Sequence, residues 1–237
     1  MNIENDILLL AGGIATRLRP VTENIPKSLI DVAGKPFILH QLELLKRNGF
    51  VNIILCLGYL GEKIEKFIKD GSEFDVKVRY SYDGENLLGT GGAIKKAMRL
   101  SSEVFFVMYG DSYLDIEYSE VFKFYNKTCK SGLMTVYKNN GLWDNSNVIF
   151  RNGKIIEYDK KKRSNEMNYI DYGLGIFKKQ DLMNYPANEK FDMEEYYKYL
   201  LDKNELAGYE VYNRFYEIGS FEGIKETENY IINKKVK

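Results

Sequence analysis

Residues 7–20 read ILLLAGGIATRLRP, an apolar run followed by a basic loop that contains two glycines. The run at 7–11 is typical of a strand buried in a sheet. Ligands of open α/β sheets bind at the carboxyl ends of strands, so the loop that follows is predicted to face a ligand. Gly12 and Gly13 would let backbone N–H groups approach a phosphate closely. The side chains of Arg17, Arg19 and Lys27 would then neutralise a polyphosphate.

The spacing of these glycines leaves two interpretations open. It matches neither the GxxxxGK[S/T] phosphate-binding loop nor the GxGxxG dinucleotide fingerprint. A surface loop with incidental arginines fits the spacing as well as a phosphate site does.

Short apolar runs alternate with amphipathic helical patterns along the first half of the chain. After the first strand, the pattern predicts strands at 52–57, 76–82 and 104–109 and helices at 36–48, 63–69 and 91–100. This alternation is typical of βαβ units and a parallel sheet. Further on, strands are predicted at 133–137, 148–150, 155–158, 169–177 and 209–212, and helices at 118–130, 193–202 and 221–233. We expect a three-layer Rossmann-like α/β fold, mostly parallel with an antiparallel extension.

Composition excludes several classes of protein. Lys+Arg and Asp+Glu both number 34, which leaves no surplus of positive charge for binding nucleic acid. No apolar stretch has the length of a membrane span and none resembles a signal peptide, so we expect a cytoplasmic protein without a membrane partner. Two cysteines and one histidine cannot build a disulfide framework or a zinc site. Any metal must be a hard cation held by carboxylates.

A wider set of motifs closely resembles the sugar-1-phosphate nucleotidyltransferases. The N-terminal signature comprises LAGGIATRLRP at 10–20, PKSL at 26–29 and AGKPF at 33–37. Further motifs follow in the family's order: LGTGGA at 88–93, YGDS at 109–112, IEYDK at 156–160, YIDYGLGIF at 169–177 and FYEIGS at 215–220. The resemblance covers nearly the whole chain. It implies one nucleotidyltransferase domain over residues 1–237, with a nucleotide-binding part at about 1–115 and a sugar-binding part at about 116–237.

The resemblance also implies an enzyme that joins a nucleoside triphosphate to a sugar 1-phosphate and releases pyrophosphate. Catalytic roles fall on Arg17, Lys27 and Asp111, and Mg²⁺ would be held by Asp111 and Glu217. The nucleotide would be bound by Leu10, Ala11, Gly12, Gly13, Ala15, Thr16, Arg17, Gly89, Thr90, Gly91 and Gly92. The sugar phosphate would be bound by Lys27, Tyr109, Glu157, Lys160, Asp171 and Tyr172. Lys160 also begins a basic run, and such runs are usually solvated surface.

Two positions depart from the family pattern. Glu217 stands where the family usually has aspartate, so the metal ligand is one methylene longer. Ala15 stands where most members have glycine. If that position needs a positive φ, alanine costs on the order of 1 kcal/mol, whereas a need for space alone would only narrow the pocket.

The compact size favours the members that guanylylate mannose or heptose 1-phosphates. We therefore expect GTP with one of these sugar phosphates. Uridylyl, thymidylyl or cytidylyl transfer to another sugar phosphate or a phosphorylated small molecule is the main alternative. A glycosyltransferase that consumes nucleotide-sugars and a noncatalytic nucleotide-sugar sensor are further alternatives. The expected state is a monomer or homodimer.

Overall fold

A computed structural model describes residues 3–162, 164–187 and 189–235. Its strands, in chain order, are β1 Ile7–Leu10, β2 Asp31–Val32, β3 Lys35–Pro36, β4 Asn52–Leu57, β5 Lys77–Tyr82, β6 Val104–Tyr109, β7 Ser112–Tyr113, β8 Gly132–Lys138, β9 Val148–Arg151, β10 Lys154–Tyr158, β11 Tyr169–Lys178, β12 Leu206–Val211 and β13 Tyr216–Glu217. Its α-helices are α1 Phe37–Arg47, α2 Gly61–Ile68, α3 Gly89–Ala97, α4 Tyr118–Thr128, α5 Lys179–Met183, α6 Met193–Asp202 and α7 Phe221–Lys235. Short 3-10 helices, among them Thr16–Leu18 and Lys27–Leu29, lie in the loop after β1.

Within these ranges nine strands form one sheet, with the path β10-β9-β11-β6-β1-β4-β5 and with β8 and β12 branching from β11. Strand β1 lies between β4 and β6 and is parallel to both. Strand β11 is antiparallel to β6, β8 and β9, and β9 and β10 form an antiparallel hairpin. Asn152 and Gly153 connect the two strands and both have positive φ angles, as a type I′ turn requires.

Helices cover both faces of the sheet because the sheet strands are apolar on both sides. Ile7 and Leu9 of β1 pack in a cluster with α1, α2 and α4, whereas Leu8 points to the opposite face and packs in a cluster with α3 and α6. Side chains alternate across a strand, so one apolar run supplies both cores. These three layers confirm the predicted fold class.

The structure differs from the sequence expectations in several elements, among them the two-residue strands β2, β3, β7 and β13, which were not predicted. Helix α3 begins at Gly89, two residues before the predicted start, because Gly89 turns the chain at a φ of +72°. Strand β12 begins at Leu206 and pairs with β8 in parallel, so the second half of the sheet is not wholly antiparallel. The five-residue helix α5 was not predicted. Among the described residues, none of the helices combines the length and apolar character that crossing a bilayer requires.

Candidate active site

A pocket of about 250 Å³ opens where β1, β4, β5 and β6 end. Parallel strands bring their carboxyl ends to one edge of a sheet, and the loops that follow them meet there. The sequence-predicted residues that line this pocket are Leu10, Ala11, Gly12, Gly13, Lys27, Gly89, Thr90, Tyr109 and Asp111. Residues from three separate motifs therefore meet in one cavity.

The two glycines after β1 have different surroundings. A Cβ on Gly12 would lie 2.7 Å from the backbone nitrogen of Gly58, so only glycine fits against the turn after β4. A Cβ on Gly13 would meet nothing within 4 Å. Gly12 therefore fixes the position of the loop, and Gly13 leaves open space beside the pocket.

Ala15 adopts the left-handed conformation, with φ 53° and ψ 47°. Its carbonyl accepts hydrogen bonds from the Thr22 hydroxyl at 2.9 Å and from the Leu18 N–H at 3.1 Å, which hold the loop in this shape. The position therefore needs a positive φ, and alanine carries a backbone cost of about 1–2 kcal/mol there. Ala15 and Thr16 themselves do not line the pocket.

Lys27 and Asp111 form an ion pair at the pocket wall, with Nζ and Oδ2 2.9 Å apart. Lys27 lies in a short 3-10 helix after the glycine loop, and Asp111 lies in the turn between β6 and β7. Their side chains are 16% and 35% exposed, so the pair is partly shielded from solvent and still reachable from the pocket. An ammonium and a carboxylate are thus held where the loop and the strand end meet.

Glu217 is brought beside Asp111 by a small two-stranded sheet. Strand β13 pairs with β7, which places Glu217 opposite Ser112, and the Ile218 N–H donates to the Asp111 carbonyl at 2.9 Å. The Glu217 carboxylate accepts hydrogen bonds from the Gly219 N–H and the Ser220 hydroxyl. Burial raises the pKa of Glu217 above its usual range; the Asp111 charge adds to the rise, while these hydrogen bonds and Lys27 oppose it.

Two neighbouring carboxylates of this kind suit a divalent cation, because a cation relieves their mutual repulsion. Among the described residues there is no cluster of three or more metal-ligating side chains. The protein would therefore supply Asp111 and Glu217, and substrate phosphates and water would supply the remaining ligands, as is usual for Mg²⁺.

The side chain of Arg17 comes close to the segment that carries Glu217. This side chain is exposed, and a Cβ on Gly219 would lie 3.0 Å from an Nη atom of Arg17. The guanidinium therefore lies over Gly219, and neither Arg17 nor Gly219 is among the residues that line the pocket. Within the described part of the chain no hydrogen bond or ion pair fixes the guanidinium, so it is available to an anionic ligand.

Asp171 lies at the opposite side of Tyr109 from the glycine loop. Its Oδ2 accepts hydrogen bonds from the hydroxyls of Tyr109 at 3.2 Å and Tyr158 at 3.3 Å. Its Oδ1 accepts the Gly173 N–H at 3.0 Å, and its own N–H donates to the Asn147 side chain at 2.9 Å. Burial raises the pKa of Asp171, against the charge of Lys160 and these hydrogen bonds. The half-buried carboxyl group is thus fixed in one orientation.

Lys160 pairs with Asp192 at 2.9 Å, at the start of helix α6. The other oxygen of Asp192 accepts the hydroxyl of Thr90, which lines the pocket, at 3.1 Å. Glu157 is exposed on β10. Among the charged residues predicted to bind the sugar phosphate beyond position 150, Lys160 and Asp171 are therefore held by an ion pair and by hydrogen bonds. Glu157 is exposed instead.

Comparison with known proteins identifies the family. The model of the nucleotidyl transferase family matches residues 7–233. The chain belongs to this family. This confirms the family predicted from the motifs.

The relatives of this chain include proteins named as guanylyltransferases. The chain is 30% identical over 218 residues to mannose-1-phosphate guanyltransferase beta-B of Xenopus laevis, a match that covers 90% of this chain and 60% of that protein. It is 30% identical over 192 residues to D-glycero-alpha-D-manno-heptose 1-phosphate guanylyltransferase of Campylobacter jejuni, covering 80% and 83%. Matches to several longer relatives span only 49% to 60% of their length.

A solved structure shares the fold over almost the full length of both chains. HddC from Yersinia pseudotuberculosis, in complex with GMP-PN, superposes with a TM-score of 0.80 at 27% identity. The alignment covers 96% of this chain and 99% of HddC.

Three of the predicted site residues, Gly91, Gly92 and Tyr172, are not among the residues that line the pocket. The N–H groups of Gly91 and Gly92 donate to the Phe191 carbonyl at 3.0 and 3.3 Å, and a Cβ on either residue would collide with the segment before α6. Tyr172 is buried in the core, with its ring beside Tyr137 and Phe215, because it follows Asp171 on β11 and points to the opposite face. The N–H groups of Gly91 and Gly92 and the ring of Tyr172 therefore contact other parts of the protein, and the pocket does not include them.

Sequence reasoning missed one charged residue in the pocket. Asp83 follows β5 directly and lines the cavity, where its Oδ2 accepts the Leu88 N–H at 3.2 Å. Burial raises its pKa, against that hydrogen bond and the charge of Lys96. The rule that drew attention to Asp111, a carboxylate just after a parallel strand, would also have found Asp83.

An aromatic contact joins two loops near the carboxylates. The Arg214 guanidinium lies 3.3 Å from the ring centre of Trp143 and 4.8 Å from that of Tyr216. The loop that carries Trp143 leads to Asn147, which holds Asp171, and Arg214 precedes Glu217 by three residues. This stack therefore links the loop beside Asp171 to the segment that carries Glu217.

Proposed function

We propose that this chain transfers the nucleotidyl group of a nucleoside triphosphate to a sugar 1-phosphate and releases pyrophosphate. GTP and a heptose or mannose 1-phosphate are the proposed substrates. The observation that carries the proposal is the junction at Asp111, where the glycine loop and Lys27 meet at the wall of the pocket and β13 brings Glu217 beside them. The named guanylyltransferase relatives support the choice of substrates.

The proposed reaction is an in-line displacement. An oxygen of the sugar phosphate forms a bond to the α phosphorus, and the bond from that phosphorus to the bridging oxygen of the leaving pyrophosphate breaks. The attacking phosphate is already ionised near neutral pH, so no side chain has to remove a proton. Positioning and charge stabilisation are the main demands on the protein.

The basic side chains meet these demands from different directions. Lys27 would reach the α phosphate from the wall of the pocket, and Arg17 would neutralise the triphosphate from the loop after β1. Lys160 would hold the phosphate of the sugar. Asp171, with its two tyrosine partners, would accept hydrogen bonds from sugar hydroxyls.

Asp111 and Glu217 would hold Mg²⁺. The cation, when bound, supplies positive charge that offsets the charge developing on the triphosphate oxygens. Lys27 already pairs with Asp111, so its ammonium would stay close to the phosphates as they bind.

Asp83 supports GTP as the nucleotide. Strands β5 and β6 are separated by β4 and β1, so Asp83 and Asp111 lie about three strand spacings, or roughly 14 Å, apart along the sheet edge. If phosphates bind near Asp111, the base extends toward Asp83. A carboxylate accepts hydrogen bonds only, and guanine offers it two adjacent N–H donors, whereas uracil and thymine flank their single N–H with two carbonyls.

The test is pyrophosphate release with Mg²⁺ for ATP, GTP, CTP, UTP and dTTP, each against a panel of hexose and heptose 1-phosphates. Release with GTP and a manno-configured sugar phosphate is the expected result. Release with another pair would keep the reaction and change the substrates. Nucleotide binding without release on any combination would contradict the proposed enzyme and favour a nucleotide-sugar sensor.

We also propose a cytoplasmic enzyme that acts as a monomer or homodimer, as expected from the sequence. Sedimentation equilibrium distinguishes these two states from larger assemblies.

A further inference from the structure

We propose that Asp192 is a positioning residue that holds Lys160 toward the phosphate of the sugar substrate. Through Thr90, Asp192 also links Lys160 to the turn at residues 88–92, which borders the pocket. The inference rests on the proposed function, because it gives Lys160 a sugar phosphate to bind. Asp192 belongs to none of the motifs that resemble the family. Its contacts alone assign the role.

Both oxygens of Asp192 are engaged. Oδ1 accepts the Lys160 ammonium at 2.9 Å and the Glu194 N–H at 2.8 Å. Oδ2 accepts the Thr90 hydroxyl at 3.1 Å, and that hydroxyl in turn accepts the Met193 N–H at 2.8 Å. The carboxylate is therefore fixed by two groups besides the lysine that it holds, and one of them, the Thr90 hydroxyl, is itself held by the Met193 N–H.

The backbone around Asp192 is equally constrained. Asp192 caps helix α6, and the Glu195 side chain accepts the Asp192 N–H at 3.2 Å, which completes a capping box. Just before it, the Phe191 carbonyl accepts the N–H groups of Gly91 and Gly92, and the Phe191 N–H donates to the Leu88 carbonyl at 3.0 Å. The turn at 88–92 and the start of α6 thus form one unit.

The loop that carries Lys160 is fastened to the same helix. The Lys160 N–H donates to Glu194 at 3.0 Å, and Lys198 bridges Glu194 at 2.8 Å and Asp159 at 2.6 Å. Lys160 therefore has both its backbone and its side chain anchored on the first turns of α6. A long lysine side chain loses much rotational freedom in this way before any substrate arrives.

The electrostatics agree with this arrangement. Burial works against ionisation of Asp192, but the charge of Lys160 and the hydrogen bonds from Glu194 and Thr90 hold its pKa below the usual range. Lys160 also lies close enough to Asp171 for its charge to oppose the rise in the pKa of that carboxyl. The ammonium thus contacts Asp192 directly and lies near enough to Asp171 to act on its charge.

The substitution Asp192→Asn tests this role because the amide oxygen of asparagine still caps the helix and its NH2 group can donate to the Thr90 hydroxyl oxygen, while the charge that holds Lys160 is lost. We expect the KM for the sugar phosphate to rise about tenfold, with the KM for GTP changed less than twofold. Glu195→Gln is the matched control, since it alters the other half of the capping box and leaves Lys160 untouched. Its sugar-phosphate KM should equal that of the wild type.

A double-mutant cycle distinguishes positioning from a general structural role. In the Lys160→Met background, Asp192→Asn should have no further effect on the sugar-phosphate KM, because its partner is gone. Equal effects of Asp192→Asn in both backgrounds, an unchanged KM, or a lower KM would each overturn the inference; a lower KM would make Asp192 a competitor of the substrate. If the wild-type enzyme shows no turnover with any acceptor and calorimetry detects no sugar-phosphate binding, the proposed function fails, and this inference fails with it.

Discussion

The two ends of the candidate site are built from different parts of the chain. The nucleotide end consists largely of backbone at the ends of parallel strands, with glycines at positions 12, 13, 89 and 110 lining the pocket. The proposed acceptor end consists of side chains: Tyr109 and Tyr158 donate hydrogen bonds to Asp171, and Lys160 lies near Asp171 and forms an ion pair with Asp192. Backbone fixes the shape of one end, and a network of charges fixes the other.

This difference suggests how each end responds to substitution. At the nucleotide end, shape depends on strand geometry, so most side-chain changes should leave triphosphate binding intact. At the acceptor end, the position of each side chain depends on hydrogen bonds and charges of its neighbours, so a substitution at one position should also displace the neighbouring side chains. Lys27, Asp111 and Glu217 lie at the junction and should affect both ends.

The largest effect is expected at that junction. Asp111→Asn keeps the shape of the side chain and removes the charge that pairs with Lys27 and a cation, so kcat should fall about 100-fold or more. Nucleotide binding, measured by calorimetry, should persist. Asp75→Asn, at a carboxylate that is 79% exposed, provides the control. Wild-type rates in the Asp111 variant would exclude it from the metal site.

The next effect should be confined to the nucleotide end. Asp83→Asn removes the acceptor proposed for guanine, and kcat/KM for GTP should fall about 10- to 100-fold, since such a paired contact is worth about 1–3 kcal/mol. Xanthosine triphosphate, which presents a carbonyl where guanine has an amino group, should regain part of the loss. The KM for the sugar phosphate should not change. Glu85→Gln, two residues further on, is a control on the exposed part of the same loop; equal loss in both variants would remove Asp83 from base recognition.

A smaller effect with a clear pH dependence is expected at the acceptor end. Asp171→Asn should raise the KM for the sugar phosphate about tenfold. Because the folded state raises the pKa of Asp171, the wild type loses stability as pH rises through that pKa, whereas asparagine does not titrate. The melting temperature of the variant relative to wild type should therefore increase from pH 4 to pH 8.

Asp159→Asn is the matched control for this pH dependence. The hydrogen bond from Lys198 holds the pKa of Asp159 below its usual range, so the wild type gains stability as pH rises. The relative melting temperature of this variant should fall over the same pH interval. Parallel slopes for the two variants would contradict the assignment at Asp171.

The smallest effect is expected in the glycine loop. Ala15→Gly relieves the left-handed strain of about 1–2 kcal/mol and loses about 0.5–1 kcal/mol to the greater freedom of unfolded glycine, for a net gain of roughly 0.5 kcal/mol. Urea unfolding of the variant and the wild type measures this difference in the free energy of unfolding. Ala33→Gly is the matched variant, because Ala33 has a φ of 52° in a different turn and should gain a similar amount. A gain at position 33 and a loss at 15 would mean that the Ala15 methyl makes contacts that stabilise the loop.

The nucleotide end was largely predictable because its residues follow strands closely in the sequence. Gly12, Gly13 and Asp111 each come within a few residues of a buried apolar run, and the rule for strand ends places them together. The same rule applied to residues 76–82 would have added Asp83. Asp111 and Glu217, far apart in sequence, were paired only through the family resemblance.

The acceptor end was less predictable because its geometry depends on contacts between distant segments. No local pattern indicates that Lys160 pairs with a residue 32 positions away. Tyr172 was grouped with Asp171 as a sugar contact, but adjacent strand residues point to opposite faces, and the register of β11 against β8 also shifts between Asp171 and Gly175. Gly91 and Gly92 are small because the segment before α6 packs against them. From the sequence alone, a glycine that makes room for another segment looks the same as a glycine that makes room for a ligand.

The stack of Arg214 on Trp143 gives the protein an internal optical probe. Trp143 is the single tryptophan of the chain, so its fluorescence is free of overlap from any other indole. Its ring contacts a segment that reaches Glu217 three residues later, and its own loop reaches Asn147 and through it Asp171. We therefore expect the emission of this tryptophan to change when the segment that carries Glu217 or the loop beside Asp171 moves, which would allow substrate binding to be timed without attaching a dye.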